Sequence, residues 1–506
     1  MRANANAVIP VLFLALIHLF IPSSALRFDN STIRTSSTKL GDVSLLEQIW
    51  TIYREHDSES VTELQVALPA RVFIKSDSDS KTQLHALPNP LMQNQKGPSD
   101  PDESIIGHVR VLSTSEDILR LIIVTDIPNS LSMGVSVQLK NTAATVRGAL
   151  LTEIFLHQDS LSRIENFGIG DISIAPNVLV NGNAVVSYFG VHSSGNLQLN
   201  AAKQNPVFKE LTLEASGSGQ LAFEANVLTL VEDLKIRTSE DGTITLIGQD
   251  QIVTQTVDVQ SKSSARTYIA GGKKLQADQQ LNIASSGSGN IAIVSVDLPG
   301  ECHNEKITID GKGSVNLESF VSDETHATLS NDGDLTVQTR QLLQATITGS
   351  GKVYYVNDKP QEIKSSASWY FWRKGGVQHK SSVSAQQLET ISWVDCVPLM
   401  ISLVLATNTE NKGGTQLPRI EHYSVNPSAL DNMQLGSADG HEGETSWMNS
   451  WKWLMVIGAC VASASVLVIG TIHAVQYHRR RAYEPLLARL RAHPFVYTEQ
   501  PELRHD

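Results

Sequence analysis

Short runs in which apolar and polar residues alternate recur through the middle of the chain, each opened by a glycine. They read GDISI from Gly170, GNLQL from Gly195, GQLAF from Gly219 and GTITL from Gly242. They continue as GNIAI from Gly289, GSVNL from Gly313, GDLTV from Gly333 and GKVYY from Gly351. The successive intervals are 25, 24, 23, 47, 24, 20 and 18 residues. The 47 reads as two turns of roughly 23, with a hidden unit near IAGGKKLQADQQLNI. Period-two alternation marks a half-buried strand, with Leu221 and Phe223 on one side and Gln220 and Glu224 on the other. One such strand cannot bury its face alone, so the units must stack. Polar pieces such as TSED and SNDGD supply corners, where glycine permits a positive φ. A coil of about 22 residues advancing about 4.8 Å predicts an all-β, parallel β-solenoid. A β-sandwich also accommodates short, evenly spaced strands, but eight glycine-first units in one phase favour the solenoid.

The flanks are less regular. Residues 26–150 hold strand-like runs such as VTELQVAL and ILRLIIVTDI, with an acidic, Pro-containing stretch over 76–104 that reads as a mobile loop. They form either the first coils or a small separate β-domain. The repeats occupy 151–368. Residues 369–406 open with Trp369, Tyr370, Phe371 and Trp372, either an aromatic platform for sugars or the cap that covers the last coil of a solenoid; the cap is the expectation. The apolar run 391–406 is interrupted by Asp395 and Pro398, which suits a closing β segment better than a membrane span. Residues 407–450 are polar and read as a stalk.

Both ends carry targeting signals. Residues 1–25 combine Arg2, an apolar core over 8–21 and the small residues Ser23 and Ala25, the pattern of a cleaved signal peptide. Residues 453–475 contain no Asp, Glu, Lys or Arg and are long enough to cross about 30 Å of hydrocarbon as one C-terminal transmembrane helix. Trp451 and Trp453 sit at one end and His478, Arg479, Arg480 and Arg481 at the other, which places residues 476–506 in the cytosol. The expectation is a type I single-pass protein of the secretory pathway, at the plasma membrane or an endosome, with its ectodomain outside or in the lumen.

Residues 26–450 hold 32 Lys and Arg against 48 Asp and Glu, an acidic balance that disfavours nucleic acid as a partner. Cys302 and Cys396 lie outside the span in an oxidising compartment and form a candidate disulfide. Asn30, in Asn30-Ser31-Thr32, is the candidate N-glycosylation site. In the tail, Tyr483 and Leu486 frame a Y-x-x-Φ stretch, the form that clathrin adaptors read as an added strand.

No enzyme motif accompanies these features. A Walker loop, a dinucleotide fingerprint leading into a helix, G-x-S-x-G and H-E-x-x-H are all absent, as are CxxC and zinc-type spacings. The run ITIDGKGSV from Ile307 is similar to a turn of pectin-degrading β-helices, but their N-T-D, D-D and G-H-G signatures are missing, so Asp310 reads as a turn-former. No catalytic residue, cofactor or metal site is expected.

The stretches EASGSGQLAFEANVLTLVEDLKIRTSEDGTITL, SSGSGNIAI, ITIDGKGSVNLES, SNDGDLTVQT and ITGSGKVYYVNDKP together resemble the head GIN domain, the adhesin head of bacterial autotransporter-like surface proteins, over about residues 177–368. The resemblance implies a right-handed parallel β-helix at a cell surface and an adhesive role, with no catalytic or binding residues to carry over. The leading expectation is therefore a non-catalytic adhesion or ligand-recognition scaffold for a protein or glycan. A carbohydrate-active β-helix enzyme and an endosomal cargo or sorting receptor are the alternatives.

Overall fold

The computed structural model describes residues 26–54, 60–77, 104–127, 133–367, 375–381, 390–408 and 417–425. The expected signal peptide, nearly all of the 76–104 loop, Trp369 to Trp372, most of the stalk, the apolar span and the cytosolic tail lie outside the described residues. Among the described residues no helix is long and apolar enough to cross a membrane.

The glycine-first strands stack in parallel, coil upon coil. Val72, Ile172, Leu197, Leu221, Ile244, Thr267, Ile291, Val315, Leu335 and Val353 occupy one register column along the first side. Leu64, Ile164, Phe189, Leu213, Ile236, Val259, Ile283, Ile307, Ala327 and Ala345 form the matching column on a second side. Both columns are buried and face one another across a shared core. Burying each large aliphatic side chain stabilises the stack by about 1.5–3 kcal/mol, so the alternation that predicts the strands also holds them together. A third side begins at Val207–Phe208 and continues through Gln251 to Thr254, Lys274 to Ala277 and Gly300 to Cys302. Each mature coil therefore has three sides.

The 47-residue interval does contain a coil. Its strand is Arg266–Gly271, paired with Thr243 to Gly248 on one side and Ile291–Ser295 on the other. Ala265, fully buried, stands where the other coils have glycine, which is why the unit hides from a glycine count. The glycine column itself is forced by close approach. A Cβ on Gly313 would lie 2.1 Å from the carbonyl oxygen of Gly289, and one on Gly351 would lie 2.1 Å from that of Gly333.

The region before the repeats belongs to the same stack. Glu63–Ala67 and Arg71–Ser76 pair in parallel with Arg163–Asn166 and Ile172–Ile174, so they are an early coil. Antiparallel strands Val43–Arg54, Ser104–Ser113 and Ala144–Leu156 extend the sheet at that end and close it. One short helix, Glu116–Leu121, buries Ile118 and Leu119 against them.

The segment 391–406 supplies a β segment, and it lies at the beginning of the stack. Its strand Leu399–Ala406 pairs antiparallel with Ala144–Leu156, joining Leu399 to Leu150 and Leu403 to Val146. Arg419–Val425 then pairs outside it. Alternate residues Leu399, Ile401, Leu403 and Leu405 are buried, so the apolar run is amphipathic strand. The approach to this strand lies along the early coils. Gln198 donates to the Ser392 carbonyl at 2.9 Å and accepts from the Val394 amide at 2.8 Å, and Arg71 donates to the Asp395 carbonyl at 3.1 Å.

Candidate functional site

The last three intervals in the glycine series shrink from 24 to 20 and then 18 residues. In the structure that contraction falls on the third side. The coil from Gly289 carries an extra loop, Val296 to Pro299, fixed by amide bonds from Val296, Asp297 and Leu298 to the carbonyls of Gly271, Gly272 and Lys273. The next coils turn more tightly, their register slipping between Asn316 and Val321 and between Ser322 and Glu324. A wide coil thus overhangs narrow ones, and the step leaves a recess of about 730 Å³. Leu298 and Pro299 form its overhang, with Lys274, Glu301, Thr339, Arg340, Asp358 and Lys359 among the lining residues.

Charge is ordered around Glu301. Lys274 Nζ donates to one of its oxygens at 2.7 Å and Arg340 Nη2 to the other at 3.2 Å. These two hydrogen bonds, Lys274 first, hold the Glu301 carboxyl below the usual carboxylate range. Arg340 also reaches Asp323 at 3.8 Å, and Asp323 meets His303 at 3.0 Å.

Behind the recess the core is unusually polar. Glu305 takes the inward place that Leu281 fills one coil earlier, and it is fully buried. Thr325 Oγ1 donates to its Oε2 at 2.8 Å and lies 2.6 Å from Thr339 Oγ1 and 2.8 Å from Ser322 Oγ. Among the described residues Oε1 of Glu305 has no hydrogen-bond partner. Burial pushes the Glu305 carboxyl up to about 8, against the opposing bonds from Thr325 and Ser322, so it is neutral at pH 7. Thr339 belongs both to the recess and to this chain, which runs from the floor inward to Glu305.

The residues singled out in the sequence lie elsewhere. Among the described residues Cys302 and Cys396 are free thiols, and the expected disulfide between them is not formed. Cys302 is buried in the third side in register with Ser322, whereas Cys396 lies 3.7 Å from Lys75 Nζ and 4.0 Å from Glu153 on the early sheet. Burial pushes both thiols up, which disfavours the reactive thiolate. Asn30 ends the strand Arg27–Asn30 and is exposed. Tyr483 and Leu486 lie outside the described residues. Asp310 is exposed and accepts a bond from Asn331 at 2.9 Å, as a corner residue does. Among the described residues no group of three His, Cys, Asp or Glu could hold a metal. Sequence reading missed the recess, although its signal, the falling repeat interval, was present. It also missed Glu305, which shares the odd-numbered parity of Ile307 and Ile309 and therefore their face.

The fold and recess define a β-solenoid with an ion-paired step on one side. Residues 255–358, which contain the lining of that step except Lys359, match the family described as "Putative auto-transporter adhesin, head GIN domain". The match is narrower than the 177–368 resemblance and lies within it. Among solved structures, a "putative adhesin" from Parabacteroides distasonis ATCC 8503 is 12% identical, covers 67% of this chain and 98% of its own, and gives a TM-score of 0.33. A "putative adhesin" from Parabacteroides merdae ATCC 43184 is 12% identical over 71% of this chain and 98% of its own, again at 0.33. A "Putative lipid binding protein" from Parabacteroides distasonis ATCC 8503 is 15% identical over 65% and 96%, at 0.26. TM-scores of this size bear on neither fold nor function. No curated protein matches the chain.

Proposed function

We propose that the chain is a membrane-tethered, non-catalytic recognition scaffold whose step recess is the contact site for a ligand of the cell surface or endomembrane lumen. The observation that carries this reading is Glu301 held between Lys274 and Arg340. A glycosidase acid needs a raised pKa, and Glu301 is shifted the opposite way. A carboxylate locked between two cations instead presents a fixed pattern of alternating charge, which confers selectivity at an interface. The head GIN match over 255–358 supports an adhesive role. The membrane tether, the signal peptide, the glycan on exposed Asn30 and a right-handed coil belong to the same proposal. The last rests on the strong right-handed preference of parallel β crossovers.

The test is capture of partners from cell-surface and lumenal extracts by the full chain, compared with its Arg340→Glu and Glu301→Lys variants. Reversing either charge is expected to weaken capture about ten-fold or more, with melting curves unchanged. Turnover of a polysaccharide that is lost in Glu301→Gln would instead establish the enzyme reading.

A further inference from the structure

We propose that Arg163, Phe167, Tyr188, His192 and Glu214 form a second binding platform, for a neutral saccharide, on the outer surface of the early coils. The site shares no residue with the step recess, so the two readings stand or fall separately. Parallel register places Arg163, Tyr188 and Thr212 in one outward column and Glu165, Gly190 and Glu214 in the next. Gly190 leaves the centre of this grid without a side chain, and its two neighbours lean over it. A Cβ there would lie 2.8 Å from His192 Nε2 and 2.9 Å from Tyr188 Cε1. Phe167 stacks on His192 with centroids 4.9 Å apart and planes at 23°, while the Arg163 guanidinium lies 4.3 Å over the Tyr188 ring. Arg163 thus covers a face of Tyr188, and the stacked pair of Phe167 and His192 lies beside it. Phe167 is 38% exposed where most large apolar side chains are covered.

The polar groups around the rings are fixed. Tyr188 Oη donates to Glu214 Oε2 at 3.0 Å, and His192 Nδ1 lies 3.0 Å from Ser216 Oγ. Burial and then the Glu214 charge push the Tyr188 hydroxyl up, so it remains a proton donor at neutral pH. Glu165 is held by Arg163 and by Gln65 at 3.3 Å, and Arg163 also reaches Glu63 at 3.2 Å. An apolar flat ring beside rigid acceptors is the arrangement that binds a sugar, whose C–H face packs on the ring while its hydroxyls donate to carboxylates. Charge selects within that class. Glu63, Glu165 and Glu214 outnumber Arg163 and Arg237, the latter in register with Glu214, and this acidic balance disfavours uronates, sulfated sugars and phosphates. A ligand cation is disfavoured too, because Arg163 already covers the Tyr188 face.

The full-length chain, purified in a detergent without a sugar headgroup, is to be applied to a printed panel of cello-, manno- and galacto-oligosaccharides, with galacturonate oligosaccharides and a lysine-rich peptide as controls. Saturable binding to at least one neutral oligosaccharide is expected, followed by titration calorimetry on the strongest. Phe167→Ala and Glu214→Gln should each weaken it about ten-fold or more, while Arg340→Ala in the recess leaves it unchanged. Phe167 is already on the surface and Glu214→Gln preserves shape, so unchanged melting curves should accompany both losses. The proposal is overturned by an empty neutral panel, by equal binding of galacturonates or the peptide, or by either platform variant binding as tightly as the native chain.

Discussion

Glu305 ties the stability of the solenoid to proton concentration. Its folded-state pKa is about 8 against 4.5 for an ordinary carboxyl, so between those values the folded protein keeps a proton that the unfolded chain releases. The sign is therefore loss of stability as pH rises from about 4.5 through about 8, with the full contribution present below. Glu305→Gln should remove that slope. Denaturant midpoints at pH 5, 6.5 and 8 should converge with the native protein at low pH and exceed it at pH 8; a pH-independent difference would refute the assignment. At the corner column the limit is space. Gly313→Ala drives a Cβ to 2.1 Å from a backbone oxygen, and a cost of about 1–3 kcal/mol is expected, read as a lower melting temperature. The glycine positions were legible because their spacing repeats. Glu305 was overlooked because parity along its strand was outweighed by its polarity, although Ile307 and Ile309 show which way it faces.

Strands of the repeat were readable from alternation, since each lies against a near-identical neighbour about 22 residues away. The third side was not: its strands have only a few residues, too short for a period to emerge, and the coil that Ala265 hides from a glycine count was legible only through the doubled 47-residue interval. The strand Leu399–Ala406 was recognisable as a strand but not in its position, because nothing local specifies a partner some 250 residues earlier. Its energetic role is testable. Leu403 is fully buried against the Ala144–Leu156 strand, so Leu403→Glu places a charge in a dry interface. A loss of about 3 kcal/mol or more is expected, with faster hydrogen exchange in residues 144–156 and little change in residues 291–347. Uniform acceleration throughout would show that the strand stabilises the whole stack equally.

At the scale of the molecule, the acidic balance was available from composition alone, whereas the recess and the proposed ring platform required knowing which coil lies on which. Arg163 and Tyr188 are 25 positions apart in the sequence and adjacent in space. The sorting-receptor alternative has its own test: on that reading Tyr483→Ala moves the full-length protein towards the plasma membrane in surface-labelling experiments, and an unchanged distribution argues against adaptor-driven sorting.

The returning strand has a mechanical consequence. The chain leaves the coils after Lys380 and, among the described residues, last pairs through Leu399–Ala406 and Arg419–Val425 with the sheet at their beginning. Tension applied beyond Val425 is therefore received by that sheet. While the two strands are seated, the narrow coils are shielded from being peeled open one hydrogen bond at a time. Their release would pay out the intervening segment as slack and transfer the load to the last coil, so these strands act as the fuse of the assembly.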